Sequence, residues 1–502
     1  VTQSYRPPAT QRHYDACVVG SQVGGAVASA LLAKRGFRVL EVDHDGRGAG
    51  YVDGGFVLPW RPALFPSPRL MPAGESALSE LGLSSTLARL LRPLATGVQL
   101  FLPRHRLDLP SAPEPLASEL KREWPGEDSA LLAALKELDG RFEDAGRILA
   151  ASPPLPPRGF FGRRALRRAI ARGSSSARGP IEGADPFESV GGHALPEALL
   201  ALVPFLSNQD GPPSPVALAR LLGGALRSPN VADGGVQALR DLFRHHGAPA
   251  HADHDETSAQ RGVVEGVEVT GGAIKGVRLA GSSDLHAARV FLLATDASGF
   301  SQLLPKGTSA RAVTGLTRLK PARRILTVNF VVRAAALPPP LGQAALLLLD
   351  GAPVLLRLEA ARRQDHAEAT ASDGEHVLCA AMPVPAEPWT RQAVLAGADR
   401  IRTALAAAIP FFDRHVVFES IPSLVGAGEG EPFRDAADPL YAPLEGSALG
   451  VSGLPVQGPF KNLFLANRSV LPGLGIEGEI YAGIEAAAHA AAALGFKDRP
   501  GR

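Results

Sequence analysis

The sequence predicts an α/β fold, and three stretches carry that prediction. Residues 15–43 read as strand, glycine turn, helix and strand. From about residue 234 an amphipathic helix is followed by short strands joined by glycine turns, and residues 462–495 read as strand, glycine-rich turn and long alanine helix. Strands alternating with helices point to a largely parallel sheet covered by helices. At 502 residues the chain is too long for one ordinary domain and suits two or three interwoven ones.

The first unit is the clearest. DACVVG (15–20) is a short apolar run ending in glycine, the pattern of a buried parallel strand. GGAVASALLAKRG (24–36) follows as a helix; Lys34 and Arg35 suit the negative end of its dipole and Gly36 its C-cap. FRVLEVD (37–43) is the second strand, completing a βαβ unit. From Pro72 to about Gly223, helical stretches such as 128–151 alternate with the breaks PPLPP (153–157) and PPSP (212–215). GGVQALRDLFRHHG (234–247) reads as the amphipathic helix, and VEVTGG, IKGVRL and ARVFLLATD as the strands after it. Between about 310 and 445 strands and helices mix again.

Composition sets limits. Hydrophobic residues make up 45% and charged residues 20%, which suits a globular protein with a sizeable core. The formal charge of +2 gives no whole-molecule attraction to nucleic acid. Two distant cysteines, Cys17 and Cys379, exclude a disulfide framework and a cysteine-based zinc site, and fit a reducing cytosol. Residues 1–14 are polar and do not read as a signal peptide. No apolar run approaches the roughly 20 residues that span a bilayer; the longest, Ala194 to Leu206, is interrupted by Pro196, Glu197 and Pro204. An integral membrane protein is not expected.

The turn after the first strand carries the chemistry. A dinucleotide site wants G-x-G-x-x-G there: one glycine for the turn, one for approach of the pyrophosphate, one for helix–strand packing. This chain has Gly20-Ser21-Gln22-Val23-Gly24-Gly25, with Gln22 at the second glycine position. Asp43 follows Gly20 by 23 residues, at the end of the second strand, where its carboxylate can accept from a ribose 2′-OH. The helix N-terminus still offers amide donors to an anion. Gln22 either crowds the diphosphate or donates to it.

The opening YDACVVGSQVGGAVASALLAKRGFRVLEVD resembles the start of phytoene desaturases, carotenoid isomerases and retinol saturases, a branch of the amine-oxidase-like flavoproteins. Gly234-Gly235-Val236 before a helix, the stretch Val264 to Val277 followed by VFLLATDA, and LFLANRSVLPGLGIEGEIYAGIEAA near the end resemble further segments of that family. The resemblance implies FAD, bound non-covalently by a discontinuous Rossmann-like domain (1–70, 230–310 and 445–502). A mixed α+β substrate domain (71–229 and 311–444) would cover it. It implies Val264 beside the adenine, Gly473, Gly475, Glu477 and Gly478 near the flavin ring, and Arg47 as a phosphate contact in the shortened turn Gly46-Arg47-Gly48. It also implies an extended apolar substrate of isoprenoid or carotenoid type, which would be desaturated, saturated or isomerised. Asn467 stands where the family usually has glycine, and Arg468 where many relatives have a carboxylate. Members of this fold without flavin exist, so a relative that binds a lipid or a protein partner is the alternative.

Three features remain. Arg158 to Arg178 holds seven arginines and no acid, and FFGRRALRRAIAR alternates basic and apolar pairs. On a helix, Phe161, Ala165, Leu166, Ala169 and Ile170 would face one way and the arginines the other. That suits an interfacial helix on an anionic membrane or a surface helix packed on the core. Nucleic acid is not expected, because aromatic interleaving is missing. His245, His246, His251 and His254 cluster near Asp253, Asp255 and Glu256 without a recognised ligand spacing, so no metal is expected. Glu477 is the carboxylate that the resemblance places by the flavin; capping the last helix is its other reading.

Overall fold

The strand Gln11–Val19 (β1), apolar and buried from Ala16 on, pairs in parallel with Val39–Asp43 (β2) on one side and with Leu285–Leu293 on the other. The computed structural model describes residues 11–43, 50–157, 159–175, 181, 185–247, 260–261, 263–280, 284–349, 351–364, 374–425 and 437–496. Two more parallel strands come from far along the chain: Gln260–Arg261 beside β2, and Leu463–Leu465 beside Leu285–Leu293. An antiparallel pair, Val264–Thr270 with Ala273–Leu279, completes seven strands. One sheet thus gathers strands from the beginning, middle and end of the sequence.

Helix α1 (Val23–Lys34) joins β1 to β2, and every residue from Val23 to Leu32 is buried. A helix apolar on all sides is stable only when covered on all sides. The last helix, Gly475–Ala493, supplies one cover. Gly24 lies so close to it that a Cβ would stand 2.6 Å from the carbonyl oxygen of Glu479, and a Cβ on Gly483 would stand 2.3 Å from that of Gly24.

A second, eight-stranded sheet is mostly antiparallel, with Pro321–Arg333 paired to Glu375–Pro385 along eleven residues. One face packs Leu326, Val328 and Phe330 with Val394, Ile401 and Leu405 of the helix Arg391–Ala408. The opposite face carries Val331 and Val377 against Tyr51, Phe56 and Trp60. A third core joins the helices Asp128–Ala150, Ala194–Leu206 and Pro215–Arg227.

The stretch 194–206 is one continuous helix of 13 residues. Pro196 falls in its first turn, where no backbone donor is needed, and Pro204 in its last. No helix among the described residues is long and apolar enough to cross a membrane.

Candidate functional site

The carboxyl ends of parallel strands form the natural crevice of such a sheet, and the turn Gly20–Gly25 sits there. The Gly20 amide donates to the Val42 carbonyl (2.8 Å) and the Gln22 amide to the Ala294 carbonyl (2.9 Å), so both flanking strands pin the turn. Gly20 has φ +110°, and a Cβ there would meet the Ala294 oxygen at 2.4 Å, so glycine is required. A Cβ on Gly25 would meet Ala294 Cβ at 2.1 Å, which gives that glycine its helix-packing role.

Gln22 is the N-cap of α1 with φ −73° and ψ 153°, a backbone shape open to any residue. Its side chain reaches the C-terminal turn: Oε1 accepts from the backbone amide of Arg468 (3.0 Å). That amide can only donate, which fixes the glutamine's orientation and leaves Nε2 for a second partner. Among the described residues the amides of Val23 and Gly24 have no acceptor, and Ser21 is half-exposed beside them. The turn therefore has the donors an anion needs at a helix N-terminus.

The C-terminal turn faces this point. Asn467, at the family's glycine position, ties the two strand ends together. Its Nδ2 donates to the Thr295 carbonyl (2.8 Å), while its Oδ1 accepts from the Ser469 amide (3.1 Å) and hydroxyl (2.5 Å). Arg468 is buried in a charge cluster: Nη1 lies 2.5 Å from Asp438, and Nε 3.6 Å from Glu479. Asp438 also pairs with Arg61 at 2.6 Å. Burial opposes the charge on Arg468, but Asp438 and Glu479 outweigh it and hold its pKa above the ordinary value. Arg468 Nε and Nη1 and both Glu479 oxygens lack a well-formed hydrogen bond.

Between this cluster and the second sheet lies a cavity of about 20 Å³, lined by Trp60, Arg61, Val236, Gln237, Ile325, Thr327, Asp438 and Arg468. That is room for about one water. The segment bearing Trp60 and Arg61 is held over the sheet by a buried relay. Asn329 Nδ2 donates to the Pro59 carbonyl (2.7 Å) and to the Tyr51 hydroxyl (2.9 Å); Tyr51 donates to Ser420 (3.0 Å), and Ser420 to Asp53 (2.6 Å).

Glu477 lies buried in the first turn of the last helix. Both its oxygens are taken by Arg220, at 3.0 Å from Nε and 2.7 Å from Nη2, and Arg220 also donates to the Leu70 carbonyl (2.6 Å). The glycines around it serve close packing. A Cβ on Gly473 would stand 2.7 Å from Val451 Cα, one on Gly475 1.8 Å from the Leu206 carbonyl, and one on Gly478 2.2 Å from the Leu471 carbonyl.

Asp43 closes β2, paired with Arg261; its side chain and the whole of Arg47 lie outside the described residues. Val264 begins a strand three residues past Arg261 and is buried. His251 and His254, with their acidic neighbours, and the side chains of His245 and His246 also lie outside. No metal-ligand group occurs among the described residues. Sequence reasoning missed Arg61, Asp438 and Arg220, whose partners are far away in the chain. Only Arg468, flagged as a departure from the family, pointed toward the cluster.

FAD can be weighed against these residues. The nucleotide half meets a fitting donor set at Gly20–Gly24. The ring half would lie toward Arg61, Asp438 and Arg468, where the present cavity is far smaller than a ring system.

No protein-family model matches the chain, and no curated protein matches it. Solved structures do. An oxidoreductase from Methanosarcina mazei aligns over 94% of this chain and 99% of its own, at 12% identity and TM-score 0.54. Cyclohexylamine oxidase from Brevibacterium oxydans aligns over 96% and 99%, at 16% identity and TM-score 0.54. Putrescine oxidase, in a structure with putrescine bound, aligns over 96% and 100%, at 14% identity and TM-score 0.54. At such identities the likeness establishes the fold: α/β, with strands from three parts of the chain in one Rossmann-like sheet and a mixed sheet-and-helix region over it.

Proposed function

We propose that the protein is an FAD-dependent oxidoreductase of the amine-oxidase-like fold, with the nucleotide half of the cofactor on the turn Gly20–Gly25. The observation that carries this reading is the pair of amides at Val23 and Gly24 at the N-terminus of α1, which have no acceptor among the described residues. They and Gln22 Nε2 would hold the diphosphate, and Asp43 the ribose. Bound FAD supplies the acceptor for a hydride taken from the substrate. The proton released from the neighbouring carbon would complete the reduction of the flavin, and the chain's part is orientation and exclusion of water.

For the substrate we retain an extended apolar molecule of isoprenoid or carotenoid type, undergoing desaturation, saturation or isomerisation. Support comes from the resemblance at the two chain ends and from Trp60, Val236 and Ile325 beside the crevice. Purified protein should show flavin absorption bands that are released on denaturation. Chromatography after anaerobic incubation of a polyene with the oxidised or the dithionite-reduced flavoprotein should show a desaturated, saturated or isomerised product. Colourless protein that takes up no added FAD overturns the cofactor reading; bound flavin with the polyene left unchanged overturns only the substrate class.

A second reading has its own support. The cluster Arg61–Asp438–Arg468–Glu479 fills the ring side of the crevice with paired charge. That suits a relative of the fold that has given up flavin and binds a lipid or protein partner. The same absorption spectrum separates the two readings.

A further inference from the structure

The helix Gly159–Gly173 buries a narrow line and leaves a broad face outside. Leu166, Ala169 and Gly173, at i, i+3 and i+7, are the buried residues. Gly173 brings this line against the helix Asp128–Ala150: a Cβ on it would meet Ile148 at 2.4 Å, and its carbonyl accepts from Arg147 Nε (3.1 Å). The apolar side thus has its partner within the fold. Phe161 and Ala165, expected beside Leu166, lie on the exposed side instead.

That outer side has an unusual composition. Phe160 is 64% and Phe161 83% exposed, and their rings touch edge to face at 5.7 Å. From Phe160, steps of four residues lead along one stripe to Arg164, Arg168 and Arg172, with Arg163 and Arg167 alongside, all exposed. Among the described residues none of these five arginines has an ion pair or hydrogen bond with an acid. Arginines elsewhere on the surface commonly have one: Arg35 with Glu80, Arg278 with Glu268, Arg363 with Glu375. Whole-chain charge is only +2, so the excess is local.

We propose that this stripe docks the protein on a membrane rich in anionic lipid. Two aromatic rings at one end can enter the boundary between headgroups and acyl chains, and guanidinium groups along the next turns can pair bidentately with lipid phosphates. Charge complementarity selects the occupant. Folding leaves the phenylalanines outside, although burying them would be favourable, and the unpaired cations beside them ask for a surface that is anionic above and apolar below. Nucleic acid would answer the charge but not two rings gathered at one end of the stripe. Attachment is peripheral, because the helix stays seated on its neighbour through Leu166, Ala169 and Gly173.

Co-sedimentation with vesicles tests this on the full chain. Vesicles of phosphatidylcholine with phosphatidylglycerol should bind the protein, and pure phosphatidylcholine should not. Raising salt from 50 to 500 mM should weaken binding several-fold through screening. Replacing Arg163, Arg164, Arg167 and Arg168 by glutamate should lower partitioning roughly tenfold or more. Phe160→Ser with Phe161→Ser should lower it several-fold while keeping the salt dependence. All six residues except Phe160 and Phe161 are charged surface positions, so circular dichroism and melting temperature should stay at the parent values and certify folding. The proposal is overturned by absence of binding to anionic vesicles, by equal binding to neutral ones, or by binding that the arginine replacements leave intact. It is equally overturned if a single-stranded oligonucleotide binds through these arginines while vesicles do not.

Discussion

The side-chain oxygen of Gln22 accepts a hydrogen bond from the backbone amide of Arg468, at 3.0 Å, and so joins the first turn of the chain to the last. Its Oε1 thus serves the fold, and its Nε2 is left for a second partner. Two substitutions separate these tasks. Gln22→Gly strands the amide of the buried Arg468 and should cost about 1–3 kcal/mol of stability, while also weakening FAD. Gln22→Glu keeps the acceptor and should leave the melting temperature near the parent value. It sets a carboxylate against a diphosphate, so affinity for FAD should fall at least as far. Titration with FAD and thermal melting read the two effects independently; tighter binding by the glycine variant would sink this account.

Glu477 and Arg220 form a buried ion pair between the last helix and the helix Pro215–Arg227. Removing one partner leaves the other charged and dry, so Arg220→Ala should cost about 3–5 kcal/mol in denaturant unfolding. Replacing both by methionine should recover much of that loss. A catalytic carboxylate would behave differently: Glu477→Gln would then abolish turnover and leave stability alone. The expected result is the reverse, lowered stability with the folded fraction still active.

The legible parts of this fold are local in origin. The βαβ unit and the final helix announce themselves because strand, turn and helix each have their own short pattern, and Gly20 is required where the pattern put it. The charge cluster has no such pattern. Arg61, Asp438 and Arg468 come from three distant segments, and only the packed chain shows that one acid serves two arginines. Asn467 was visible as a departure, but its hydrogen bonds to Thr295 and Ser469 were not. The basic helix was misread in one respect. Periodicity grouped Phe161 with Leu166, whereas the small Gly173 sets the line of closest approach and turns both phenylalanines outward.

Asp43 ends β2 next to Arg261, the last residue of the strand beside it. If its carboxylate takes the ribose hydroxyls, Asp43→Ala should weaken FAD by roughly 1.5–3 kcal/mol, the range for hydrogen bonds to a charged group. Equilibrium titration of the apoprotein measures this. Unchanged affinity would remove Asp43 from the site and shift attention to Arg261.

Glu485, half-buried on the last helix, gives a prediction that depends on pH. Burial alone raises its pKa above the ordinary carboxylate value. The folded state therefore holds this proton to higher pH than the unfolded chain does. Below the ordinary carboxylate range both states are protonated and the residue costs nothing. As pH rises from about 4 the unfolded chain releases its proton first, so stability falls until the folded group also ionises, after which the penalty is constant. Glu485→Gln removes the ionisation at nearly unchanged size. The variant should match the parent near pH 3.5, gain on it as pH rises, and hold a steady advantage in melting temperature by pH 8. A difference that does not change with pH would mean that the substitution acts through packing, and that Glu485 bears no desolvation penalty.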